Sequence, residues 1–217
     1  MRHLILMILV IGMTLLGACV TPSITPLEEG WIRLQIENVG SIDYPPDFLE
    51  LESGEYRDIA KETAQVLALS QSDFTLQQVG LNELKPSAFE EYRRVILQTS
   101  FLNPGEEVFR ANEKYTMSQQ ELAELQNELI DKLQRELPML NIKLVEFVCI
   151  EIKEVNSMFP LVYTYKRQLG DNPIVLVKIY VFWNYDKTHQ LAFSYRVEDE
   201  EECRDIYDKI LDSFRLQ

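Results

Sequence analysis

The segment from Asn141 to Glu198 carries strand chemistry almost without interruption, and this constrains the fold more than any other feature of the chain. Ile142, Leu144, Val148, Ile150 and Ile152 alternate onto one face of a long predicted strand, with Val145, Phe147 and Cys149 on the other. Phe159 to Gln168 forms a second strand, closed by the turn Gly170-Asp171-Asn172-Pro173. Ile174 to Tyr185 is apolar on both faces, which places it inside a sheet rather than at its edge. Asp186-Lys187-Thr188 then turns the chain into His189 to Val197, a hairpin. Short turns join neighbours in opposite directions, so this region builds a mostly antiparallel sheet. Such a sheet must bury its apolar faces against something else.

The rest of the chain supplies that cover. Ser118 and Glu121 have the spacing of a capping box, and Leu122, Leu125, Leu129, Leu133 and Leu137 follow as one apolar stripe until Pro138. Asp199 to Arg215 reads as a closing helix with Cys203, Ile206, Ile210 and Phe214 on its buried side. The acids Glu198 to Glu202 suit the positive end of that helix's dipole. Upstream, Trp31–Ile36 and Ser41–Tyr44 pair as a hairpin, and Phe48–Glu52, Phe74–Val79 and Tyr92–Leu102 are further strands. Tyr56 to Leu69 has helical spacing, and Asn103-Pro104-Gly105 ends the strand before it. Residues 31–217 therefore form one α+β domain, an α/β/α sandwich with helices on both sheet faces.

From Asn141 onward the pattern resembles a known group. The tyrosine-bearing strand Tyr163-Thr164-Tyr165, the run His189-Gln190-Leu191-Ala192-Phe193-Ser194-Tyr195, and the ending Ile210-Leu211-Asp212-Ser213-Phe214-Arg215 are similar to the PsbP-like, Ran-binding-homologue sandwich domains. The resemblance extends from Ser41 to the end, with the first half matching in element order. It implies an extrinsic binding or assembly factor rather than an enzyme. It carries over no binding residue, because the shared pattern consists of packing residues.

The first residues give an address. Leu4 to Leu16 is an apolar run of 13 residues after Arg2 and His3. It is shorter than the roughly 20 residues a bilayer span needs, and it has the make-up of a secretory signal. Leu16-Gly17-Ala18-Cys19 resembles a bacterial lipobox. That resemblance implies cleavage after residue 18, a diacylglyceryl group on Cys19 and anchorage of an extracytoplasmic protein. Val20 in place of Asp favours the outer membrane, facing the periplasm, in a Gram-negative cell. Residues 19–30, with Pro22 and Pro26, form the lipidated Cys and its tether.

Chemistry is scarce. A net charge of −14 repels phosphate backbones, so nucleic acid is not an expected partner. Two histidines, of which His3 leaves with the signal, exclude His-based nucleophile sites and His-cluster metal sites in a monomer. His189 is expected in a structural or solvated role at its hairpin. The acidic run from Glu198 lacks the Gly-turned loop that calcium requires. No cofactor, metal or catalytic residue is expected. Cys149 and Cys203 are either two independent buried thiols or a helix-to-sheet disulfide. Tyr163 and Tyr165 share one strand face, as do Tyr180 and Phe182. These four rings are either core or the floor of a groove. Two functions follow: a lipid-anchored domain that binds an envelope protein, or a carrier that holds a small ligand in an aromatic groove.

Overall fold

The computed structural model of the protein describes residues 28–53, 72–102 and 109–217. The signal, Cys19, the tether up to residue 27, the helix expected over Tyr56–Leu69 and the turn at Asn103-Pro104-Gly105 lie outside them.

Alternating apolar residues make β1 (Ile32–Ile36), β2 (Gly40–Tyr44), β3 (Leu49–Leu51), β4 (Phe74–Gln78) and β5 (Arg93–Phe101). Helix α1 (Gln119–Glu136) follows, then β6 (Ile142–Ile152), β7 (Leu161–Leu169), β8 (Val175–Asn184) and β9 (Lys187–Arg196). Helix α2 (Glu200–Ser213) and the short β10 (Arg215–Leu216) close the chain. Strands β3-β4-β5-β9-β8-β7-β6 form one seven-stranded sheet, and β1-β2-β10 form a small three-stranded sheet. All described pairs are antiparallel. The expected α+β sandwich is the fold observed, with β8 inside the sheet.

One helix lies on each face of the large sheet. Cys203, Tyr207, Ile210 and Leu211 of α2, with Phe214 beyond its end, pack on Val95, Leu97, Val162, Tyr180, Phe182, Leu191 and Phe193. On the opposite face Leu133 and Leu137 meet Tyr165, Val177, Ile142, Leu144 and Phe147. The capping box of α1 forms as its sequence requires: Glu121 N–H donates to Ser118 Oγ (3.2 Å), and Ser118 N–H donates to Glu121 Oε2 (2.6 Å). The small sheet is tied to α2 through Asp43, whose N–H donates to Ser213 Oγ at 2.8 Å. Asp43 itself accepts a bidentate pair of bonds from Arg33, each 2.8 Å.

Three details differ from the sequence expectations. In β6 the register with β7 slips between Leu144 and Glu146 and again between Phe147 and Cys149. Each bulge inserts one residue, so Phe147 turns onto the face of Ile142, Leu144, Ile150 and Ile152, while Val145 and Val148 stay exposed. The β8–β9 turn is Tyr185-Asp186, with Tyr185 at φ 58°, and Lys187 already pairs with Asn184. Finally, Arg215 leaves α2 to pair with Ser41, so the small sheet is completed by the last residues of the chain.

Candidate functional site

Helix α2 and strands β6 to β9 line a groove of about 330 Å³ on this face of the sheet. Its wall is Glu200, Arg204, Tyr207 and Asp208, spaced along one side of α2. Leu176, Tyr180 and Phe193 give the floor its apolar surface, and Thr164 and Cys149 give it a hydroxyl and a thiol. Lys153, Lys178 and Glu151 stand at the rim.

The phenols that line the groove are neutral. Burial raises the phenols of Tyr180 and Tyr207 above the ordinary tyrosine value. Tyr195 rises to about 12, from burial first and the charge of Glu200 second. These hydroxyls are hydrogen-bonding groups at neutral pH, not bases or nucleophiles. Charges of both signs line it too: Arg204 pairs with Glu200 at 2.7 Å, and Lys178 Nζ lies 5.4 Å from the Tyr180 ring centre. The groove thus combines an apolar, aromatic floor with charged side chains of both signs.

The four aromatics singled out from the sequence do not form one surface. Tyr163 opposes Ile179 and Tyr165 opposes Val177, whereas Tyr180 opposes Val162. Opposed residues share a face, so Tyr163 and Tyr165 lie under α1 and Tyr180 and Phe182 lie under α2. Within each pair the rings stack at 6.4 Å. Phe182 is core, Tyr180 is core with one edge in the groove, and Tyr165 is buried beside a part-buried Tyr163. Cys149 and Cys203 are both free thiols, the first part-buried in the groove and the second fully buried beneath α2.

Of the two roles expected for His189, structural or solvated, the structure selects the structural one: the residue lies past the turn, opposes Thr99 and Phe182, and is 1% exposed. Its Nδ1 lies 2.8 Å from Thr99 Oγ1, its Nε2 has no partner among the described residues, and burial lowers its pKa. On the α1 face, Tyr92 accepts a 2.8 Å bond from Arg167 and lies under Arg94, which also donates to buried Gln77. Burial alone would raise the Tyr92 phenol, but the two guanidinium charges, together with hydrogen bonds from Ser194 and Arg167, outweigh it and lower it. Residues so far apart in the chain carry no shared sequence signal. No cluster of three metal-ligating side chains exists among the described residues, and none of their helices is long and apolar enough to cross a membrane.

This geometry can be set beside known proteins. No protein-family model matches the sequence, and no curated protein does. Among solved structures, the solution structure of cyanobacterial PsbP (CyanoP) from Synechocystis sp. PCC 6803 matches with a TM-score of 0.53. The match covers 93% of this chain and 99% of that one, at 12% identity. The fold is PsbP-like. At 93% of the chain, that likeness extends well beyond the last third, where the sequence pattern is clearest. At 12% identity it is a likeness of fold and assigns no residue a role.

Proposed function

We propose that the chain is a lipid-anchored, extracytoplasmic domain, without catalytic chemistry of its own, that binds a protein of the bacterial envelope. Cys19 carries the lipid, and residues 20–30 hold the domain just off the membrane surface, the outer membrane in a Gram-negative cell. The observation that carries the reading is the groove beside α2. Its buried phenols are neutral, its floor is aromatic, and its rim carries charges of both signs in Lys153, Glu151, Lys178, Arg204 and Asp208. A rim of both signs gives register and specificity to a protein partner while the apolar floor supplies affinity. The PsbP-like fold fits this role, since the group the sequence resembles acts through extrinsic binding and assembly.

Crosslinking in intact cells, followed by purification of the anchored protein and mass spectrometry, tests it. One stoichiometric envelope protein is expected with the natural chain, and Cys19→Ser is expected to lose both membrane attachment and that protein. Equal recovery of the same protein from the unanchored variant would remove the anchor from the account.

The volume of the groove favours a second reading. About 330 Å³ falls at the lower end of the range of sites that hold small molecules. A bound apolar molecule that survives purification, lost on Tyr180→Ala while the fold is retained, would select a ligand carrier instead.

A further inference from the structure

The large sheet ends in two very different edges. One is β3, three residues long; the other is β6, eleven residues from Ile142 to Ile152, with no further strand beside it among the described residues. A long open edge presents a row of unpaired backbone donors and acceptors to a partner strand. Val145 and Val148 on this edge are 39% and 44% exposed.

We propose that β6 pairs antiparallel with β6 of a second copy of this chain, about a two-fold axis through Phe147. In that register Phe147 meets its own copy, Leu144 meets Ile150, and Ile142 meets Ile152. The pairing of β6 with β7 places all five on one face of the sheet, the face covered by α1, so the apolar stripe continues across the axis. On the other face Lys143 meets Glu151, and the two-fold makes this pair twice. Both side chains are exposed, and neither has an ion-pair partner within 4 Å among the described residues. The axis sets Val145 against Cys149 and Glu146 against Val148, so the two bulged segments face each other two residues to two, although the inserted Val145 and Val148 are not themselves exchanged. The edge is therefore self-complementary in hydropathy and charge, as an isologous interface requires.

Charge reversal tests this on the full chain in detergent, by sedimentation equilibrium near physiological ionic strength. There the Debye length of about 8 Å screens the net charge of each copy but not a contact pair. The natural chain is expected at twice the monomer mass once the detergent is subtracted. Lys143→Glu and Glu151→Lys each replace two attractive pairs with two repulsive ones, and each is expected to raise the dimer dissociation constant roughly tenfold. Mixing the two single variants, or combining them in one chain, restores both pairs and is expected to restore the dimer. Because the substitutions are exposed, circular dichroism should show an unchanged fold. A monomer at every concentration would overturn the proposal and leave the edge to a strand of another protein. A dimer unaffected by either reversal would overturn it as well.

Discussion

Phe214 lies against Phe182 with ring centres 5.2 Å apart, and neither ring is more than 1% exposed. One residue ends the last helix and the other sits mid-strand in β8, so this contact pins α2 to the sheet and thereby shapes the groove. Phe214→Ala should cost about 3–5 kcal/mol of stability through lost burial and the cavity left behind. Phe101→Ala, at a ring 72% exposed, should cost almost nothing. Urea unfolding followed by circular dichroism distinguishes the two.

Asn156 secures the same helix from outside. Its Nδ2 lies 3.2, 3.1 and 3.2 Å from the carbonyl oxygens of Leu211, Asp212 and Phe214 at the open end of the helix, the last two of which also accept from Arg215 Nη1. Asn156 adopts φ 52°, a conformation that Asn tolerates and Ala does not. Asn156→Ala should therefore lose about 1–3 kcal/mol, from the bonds and the strain together. Asn156→Gly should recover the strain component only, so a Gly variant as stable as the natural chain would argue against the cap.

His189 makes stability depend on pH. Burial lowers its folded pKa below the ordinary value of about 6.5. The unfolded chain then binds a proton that the folded one excludes, so stability is complete above about 6.5 and declines as pH falls toward the folded value. Thermal melts of the natural chain between pH 7.5 and pH 5 should show this decline, and His189→Gln should flatten it. An unchanged slope in the variant would assign the effect to other groups.

The two thiols should differ sharply. Burial pushes Cys203 up to about 12, and it lies wholly beneath α2, whereas Cys149 opens into the groove. The thiolate is the reactive form, so a maleimide under native conditions should label Cys149 and leave Cys203 until the protein unfolds. A groove occupant should slow labelling of Cys149. Equal rates at the two positions would place α2 elsewhere.

Tyr92 should ionise below the ordinary tyrosine range because Arg167 and Arg94 flank it. Arg167→Met should move its titration upward when followed by ultraviolet difference absorbance. The other buried phenols, all raised, provide the reference within the same molecule.

Much of this fold could be read from local pattern. Strand parity put Tyr163 with Tyr165 and Tyr180 with Phe182, and the spacing of Ser118 and Glu121 announced the start of α1. What alternation cannot show is which strands meet. Thr99 lies opposite His189 across ninety positions of sequence, and that pairing is what buries the histidine. Parity is also blind to a bulge: the inserted Val145 and Val148 moved Phe147 across the sheet, and nothing in their side chains marks them as extra. The groove was illegible for a related reason. Its walls come from four strands and a helix, which come together only in the folded chain.

Photocrosslinking in intact cells tests the groove most directly. A photoreactive residue in place of Lys178, at the groove rim, is compared with one in place of Lys132, on the exposed side of α1 at the other face of the sheet. The account predicts one envelope protein crosslinked from position 178 and not from position 132. The same protein captured equally from both positions, or from 132 alone, would contradict it.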